Sequence, residues 1–273
     1  MRNAELDRES LSAGLLREAV IRPGGLWQDI RVVAETGSTN ADLLAEAASG
    51  APEGVVLVAE AQSAGRGRMG RYWVSPPRAA LTFSVLLRPA RVPAANRSWV
   101  PLLAGVALAS SLRADAQVDA QLKWPNDLLA GGGKLAGILA EQVGQAIVVG
   151  AGVNVSTSSD ELPVAATASL APTSLALLGA ACLDRHRLLT GLLAEFERWY
   201  RAWTGQLGDA AASGLREEYR ALCATLGQQV RISMPGGHEV TGQASDVDAS
   251  GRLVVHSASG LLTVSAGEVV HVR

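Results

Sequence analysis

Ala64-Gly65-Arg66-Gly67-Arg68-Met69-Gly70-Arg71-Tyr72-Trp73-Val74-Ser75-Pro76-Pro77 is the stretch on which the reading of this chain turns. Gly65, Gly67 and Gly70 spell G-x-G-x-x-G, and an apolar run, Val55 to Gln62, precedes them. A dinucleotide fingerprint would need a helix to open here. Two tandem prolines forbid one, so a doubly wound nucleotide fold is excluded. No Gly-Lys-Ser/Thr follows any glycine run, and the kinase triplets His-Arg-Asp and Asp-Phe-Gly are missing. Arginine is a fixed cation with five donors, and glycine lets backbone approach a ligand or take positive φ. The stretch therefore reads as a mobile, anion-gripping loop. A solvated basic surface loop is the plainer alternative.

Around it the chain alternates between strand and helix patterns. A short amphipathic segment covers Leu11 to Val20. Residues 31–35 form a strand, and Ser38 or Thr39 then caps a helix that closes at Gly50, with Asp42 at capping-box spacing from Thr39. Ser38 and Thr39 are compatible both with plain caps and with a helix start that collects polar ligand groups. Leu81 to Arg88 reads as a strand and Trp99 to Leu112 as a buried helix. Gln121 to Leu129 and Lys134 to Glu141 form a hairpin across Gly131-Gly132-Gly133, and Ala146 to Val155 supplies a third strand. Residues 156–184 look loop-like, and two helices follow at 185–204 and 212–225, with Trp199, Tyr200, Trp203 and Tyr219 as packing residues. After Gly227 short strands predict a small antiparallel barrel: 229–234, a Pro235-Gly236-Gly237 turn, 239–246, 253–256 and 261–272. The fold class is α+β, and the expected domains are 1–226 and 227–273.

The chain has 273 residues, two cysteines and a net charge of −2. That balance argues against a broad nucleic-acid surface, and two cysteines fit a reducing compartment, so a cytoplasmic location is expected. No run of 18 apolar residues suggests a membrane span, and Met1 to Glu5 lacks a signal-peptide pattern. The four histidines, His186, His238, His256 and His271, show no ligand spacing, and no metal-ligating set is named. Lys123 and Lys134 sit at strand ends, where each is either an anion partner or a snorkelling lysine. Asn126, Asp127 and Asn154 are possible turn residues. Fixed cations with amides, and without an acid–base pair, suit phosphoryl or nucleotidyl chemistry, in which charge stabilisation dominates.

Five ordered motifs then carry a resemblance. Ser38-Thr39-Asn40, the Gln62–Trp73 arginine stretch, Lys123-Trp-Pro-Asn-Asp127, Lys134-Leu-Ala-Gly-Ile138 and Gly150-Ala-Gly-Val-Asn154 resemble the biotin protein ligases, over residues 31–155. The resemblance implies a class II synthetase-like mixed sheet packed with helices, followed by an SH3-like barrel. It implies biotin and ATP as substrates with Mg²⁺, formation of biotinyl-5′-AMP, and transfer to a lysine of the carboxyl carrier domain of an acyl-CoA or other biotin-dependent carboxylase. It also implies roles. Arg66, Arg68 and Lys134 would neutralise the reacting anions, with Arg66, Lys134 and Asp127 as the catalytic set. Ser38, Thr39, Asn40, Gln62, Gly65, Arg66, Gly67, Arg68, Lys134 and Gly137 would bind biotin or the adenylate. Arg71, Trp73, Lys123, Asn126 and Asn154 would serve the nucleotide, with Trp73 covering the adenine. Met69 departs from the polar residue that relatives often carry. Residues 1–30 are too short for a helix-turn-helix domain, so no DNA binding is expected, and the chain would be a monomer or homodimer. A lipoate–protein ligase of the same fold and a silent biotin-binding regulator remain as alternatives.

Overall fold

A computed structural model describes residues 8–163, 170–234 and 237–272. The expectations for Met1 to Glu5, for Pro235 and Gly236, and for residues 164–169 lie outside the described residues.

In chain order the first part runs α1 (Ala13–Val20), β1 (Asp29–Val33), α2 (Thr39–Ala48), β2 (Val55–Ala59), β3 (Ala80–Leu87), α3 (Val100–Asp115), β4 (Gln121–Lys123), β5 (Asp127–Ala130), β6 (Gly133–Val143), β7 (Ala146–Asn154), α4 (Arg185–Gly205) and α5 (Leu215–Leu222). The seven strands form one sheet in the order β1-β2-β3-β7-β6-β5-β4. Only β1 and β2 pair in parallel. Every residue of β2 is buried because both faces of the sheet are covered, which is why it reads as an unbroken apolar run. Val56 and Val58 enter the main core under α3 and α4, while Val55 and Leu57 meet Leu43 and Ala47 of α2 on the opposite face.

Helix ends differ from the sequence reading where tertiary contacts intervene. Residues 94–99 form a separate 3₁₀ turn, and α3 begins after them with Pro101 in its first turn, where no N–H is missed. The expected helix 212–225 is only Leu215–Leu222. Gly214 takes φ 76° at its start, and beyond its end Ala224 donates its N–H to the Leu122 carbonyl, turning the chain toward β4. The expected Thr39–Asp42 capping box does not form. Ser38 is the cap, accepting from Ala41 N, and Asp42 instead accepts from the Thr36 hydroxyl.

The second part comprises β8 (Gln229–Ser233), β9 (Glu239–Val247), β10 (Leu253–Ser257), β11 (Gly260–Val264) and β12 (Glu268–His271). It is an antiparallel sheet in the order β11-β10-β9-β8-β12. The single strand expected over 261–272 is two strands on opposite edges. The chain must cross between them at Ser265–Gly267, and a Cβ at Gly267 would come within 2.7 Å of Ile232. Two buried indoles fasten this sheet to the first part. Trp99 donates to the Ala249 carbonyl (2.7 Å) and Trp124 to the Gly251 carbonyl (3.1 Å). Buried Trp N–H groups ordinarily require such partners. The start of β12, at Glu268, lines the same cleft as Lys123 of β4.

Candidate active site

The site is a cleft bounded by the start of α2, the arginine stretch, β4 to β7 and the start of β12. Its floor is built by omission of side chains. Gly137 of β6 pairs with Gly152 of β7, and Gly150 lies two residues earlier in β7. A Cβ on Gly152 would fall 2.2 Å from the Trp73 ring, and one on Gly150 would fall 2.2 Å from Asn40 Oδ1. These two positions admit only glycine without rearrangement. The Trp73 indole occupies the space left at Gly152 and also lies near Gly137, and its buried N–H has no partner among the described residues.

At one end of the cleft the polar groups are neutral and bonded to each other. Thr39 and Asn40, in the first turn of α2, are almost fully buried. Gln62 Oε1 accepts from Thr39 N (2.8 Å) and lies 3.1 Å from its hydroxyl. Ser84 of β3 lies 2.7 Å from the Thr39 hydroxyl and donates to Asn40 Oδ1 at 2.6 Å.

At the other end charge gathers. The arginine stretch folds as a tight hairpin rather than an open loop. Gly67 N donates to Arg71 O, Trp73 N to Gly65 O, and a 3₁₀ turn spans Arg68–Gly70. Gly70 has φ 74°, but the neighbouring left-handed residue is Met69 (φ 56°), at the turn's tip. Gly65 is required for another reason, since its Cβ would meet Trp73 O at 2.4 Å. The hairpin turns Arg66, Arg68 and Arg71 toward the cleft, opposite Lys123 of β4 and Lys134 of β6. Lys134 Nζ is 2.7 Å from Asp127 Oδ1, close but not aligned as a hydrogen bond. Arg68 donates to Asn126 Oδ1 (3.2 Å), whose Nδ2 is held by Ile138 O (2.9 Å). Arg71 pairs with Glu268, which reaches over from β12. Arg66 is exposed and makes no hydrogen bond or ion pair among the described residues.

Burial lowers the pKa of Arg68, with Asp127 opposing and Arg71 reinforcing the shift. Burial likewise lowers that of Lys123, with Asp127 and Glu268 opposing while Lys134 and Arg71 reinforce. Five cations thus face two carboxylates, Asp127 and Glu268, so an incoming anion relieves repulsion as well as gaining attraction. Among the described residues no three His, Cys, Asp or Glu side chains cluster as a metal cage.

Residues 33–157 match the model of the Biotin/lipoate A/B protein ligase family, and residues 225–272 match that of the Biotin protein ligase C terminal domain. A biotin--[acetyl-CoA-carboxylase] ligase of Mycobacterium tuberculosis is 45% identical, over 97% of this chain and 97% of its own. This chain belongs to the biotin protein ligase family. A bifunctional ligase/repressor BirA of Bacillus spizizenii is 31% identical, over 89% of this chain and 73% of its own. The fold is shared with a biotin protein ligase of Aquifex aeolicus solved in complex with biotin and ATP (TM-score 0.76, 24% identity, 90% of this chain and 100% of that one). Both expected features of the family fold, the mixed sheet with helices and the C-terminal β-domain, are present in this ligase family member.

Of the residues named from the sequence, Ser38, Thr39, Asn40, Gln62, Arg66, Gly67, Arg68, Arg71, Trp73, Lys123, Asn126, Asp127, Lys134 and Gly137 all line the cleft. Gly65 stands behind it, shaping the hairpin. Asn154 is not on the wall. It is buried at the end of β7, where its Nδ2 donates to the Thr173 carbonyl (2.9 Å) and braces the segment that pairs with Lys134. Sequence reasoning missed Ser84 and Glu268, and it quoted Gly150 and Gly152 within a motif without giving them a role. A lone serine in the apolar run Leu81-Thr82-Phe83-Ser84-Val85 was the available signal for the first. Glu268 gave none, because its place depends on packing between the two sheets.

Proposed function

We propose that this protein is an ATP-dependent biotin protein ligase. It would activate biotin to biotinyl-5′-AMP and transfer the biotinyl group to a lysine on the carboxyl carrier domain of a biotin-dependent carboxylase. The observation that carries the reading is the division of one cleft into a neutral hydrogen-bonding end and a cationic end. Biotin has the same division: an uncharged ureido head that both donates and accepts, an apolar middle and a carboxylate. The dithiolane of lipoate has no N–H to satisfy Thr39, Asn40, Ser84 and Gln62, so their arrangement favours biotin over the lipoate reading.

In this reading the head lies against Thr39 and Asn40 and the rings lie along the cleft beside the Trp73 indole. The carboxylate points toward Lys134 and Arg66. Its oxygen attacks the α-phosphorus of ATP while the bond to pyrophosphate breaks. Lys134, Arg66 and Arg68 offset the charge as the two anions close, and Arg71, Lys123 and Asn126 hold phosphate and nucleotide. Asp127 orients Lys134. A carrier lysine amine, having lost a proton, then attacks the acyl carbon and AMP leaves. Removing one charge-stabilising donor of this kind typically costs about 10²–10³-fold in rate. The place of the Trp73 indole in the cleft, against Gly152 and Gly137, supports a role for that ring against an adenylate.

Mg²⁺ usually takes one or two carboxylates plus substrate phosphates rather than a dedicated protein cage. Asp127 and Glu268, both on the wall and both beside cations, fit such a group carried in on the triphosphate. When bound it would neutralise phosphate charge. We further propose that the divide between catalytic and SH3-like parts falls at Leu226–Gly227, that the protein is cytoplasmic and does not bind DNA, and that it is a monomer or homodimer. No described helix is long and apolar enough to cross a membrane. The decisive test is transfer of labelled biotin to a purified carrier domain with Mg-ATP. Biotin binding without AMP formation or transfer would instead support a silent regulator.

A further inference from the structure

Glu141 stands on β6 behind the neutral end of the cleft, has no place in the mechanism above, and has no cationic partner among the described residues. Its Oε2 accepts from Asn40 Nδ2 at 2.8 Å. The second Nδ2 proton goes to the Leu139 carbonyl at 3.1 Å. A carbonyl and a carboxylate can only accept, so the nitrogen of the Asn40 amide must face them and its oxygen must face Ser84. Ser84 spends its single proton on that oxygen, at 2.6 Å. Its own oxygen is then left to accept from the Thr39 hydroxyl, 2.7 Å away. The competing acceptor for the Thr39 proton, Gln62 Oε1, is further off at 3.1 Å and already receives Thr39 N. The relay protons therefore run from Thr39 through Ser84 to Asn40 and end on Glu141 and the Leu139 carbonyl, and the lone pairs of Thr39 are left for the cleft. Gly150 keeps the relay compact, since a Cβ there would collide with Asn40 Oδ1 and crowd Ser84 Oγ.

We infer that Glu141 is a positioning residue that sets the direction of the Asn40–Ser84–Thr39 relay, so that the head end presents acceptors to the N–H groups of a cyclic urea. The inference rests on the reading of this cleft as the biotin site. It explains why a lone carboxylate is kept next to a neutral pocket. The charge never meets the ligand, but it fixes which atoms of three neutral side chains do.

The test is calorimetric titration of the full chain with biotin and, separately, with ATP. Glu141→Ala is expected to weaken biotin binding by roughly tenfold to a hundredfold, the scale of losing one hydrogen bond to a charged group, with ATP affinity unchanged. Glu141→Gln, whose amide oxygen accepts the same N–H, should restore affinity to within about threefold of wild type. A biotin analogue with one ureido N–H replaced by oxygen should be discriminated strongly by wild type and weakly by Glu141→Ala. Thr39→Val serves as the reference, because it removes a contact on the cleft itself. If Thr39→Val loses biotin affinity while Glu141→Ala keeps both affinity and discrimination, the inference fails and the pocket reading stands. If Thr39→Val also binds biotin normally, the pocket reading fails first. Should Glu141→Ala lose ATP binding as well, Glu141→Met replaces it, and normal biotin affinity in that variant overturns the inference.

Discussion

The two ends of the cleft are opposites in how their polar groups are satisfied. At the α2 end, Thr39, Asn40, Gln62 and Ser84 are buried or half-buried and bonded to one another at 2.6–3.1 Å. At the hairpin end, Arg66 has no partner among the described residues, Arg71 borrows one from the second sheet, and Lys123 and Arg68 are desolvated cations. A satisfied network is rigid and selects by geometry. A surplus of charge selects by sign and is expected to rearrange when an anion arrives. One protein can thus hold a neutral head before the reaction and respond to charge during it.

The contrast breaks most clearly at the cationic end. Lys134→Ala and Arg66→Ala are each expected to slow formation of the adenylate by roughly 10²-fold or more, read as pyrophosphate release, while biotin affinity changes far less. Loss of biotin affinity with normal adenylation would reverse the assignment of the two ends. Next in size is Gly150→Ala, which drives a methyl into Asn40. Overpacking of this kind costs about 1–3 kcal/mol, so a lower melting temperature and weaker biotin binding should appear together, with ATP binding spared. Wild-type biotin binding in Gly150→Ala would show that the neutral end is softer than its hydrogen bonds imply.

Lys123 sharpens the contrast through pH. Its pKa is lowered chiefly by burial, so its charge is lost as pH rises through a range below that of an ordinary lysine. ATP affinity should therefore decline with rising pH earlier than an exposed lysine would allow, and Lys123→Arg should flatten that decline because guanidinium stays charged. Biotin affinity should be flat over the same range. The smallest effect is expected from Glu268→Gln. It frees Arg71 from a half-exposed ion pair, and such pairs contribute about 0–1 kcal/mol, so affinity for ATP titrated without Mg²⁺ should rise by no more than about fivefold.

The cationic end was legible in the sequence because its residues are written next to one another. Arginines alternating with glycines before two prolines, and lysines beside Gly131-Gly132-Gly133 and Trp124-Pro125, announce themselves locally. The neutral end was half legible. Ser38, Thr39 and Asn40 open a helix, but Ser84 is hidden in a strand whose neighbours are apolar. Glu141 looks like a strand-end solvent residue. Gly150 and Gly152 alternate on one face of β7, yet only the approach of Asn40 and Trp73 shows why side chains are absent there. Glu268 was invisible, because its position depends on where β12 crosses to pair with β8. The same nonlocal cause shortened α5 and divided the last expected strand. The Thr39–Asp42 capping box failed for a local reason, since Thr36 competed for the carboxylate.

The Trp99 and Trp124 indoles that grip the carbonyls of Ala249 and Gly251 have a consequence for how the chain can be cut or opened. Lifting the last five strands away would break both bonds and expose two large buried rings to water. The C-terminal sheet is therefore less an appendage than a lintel, and whatever enters the doorway beneath it must do so without raising it.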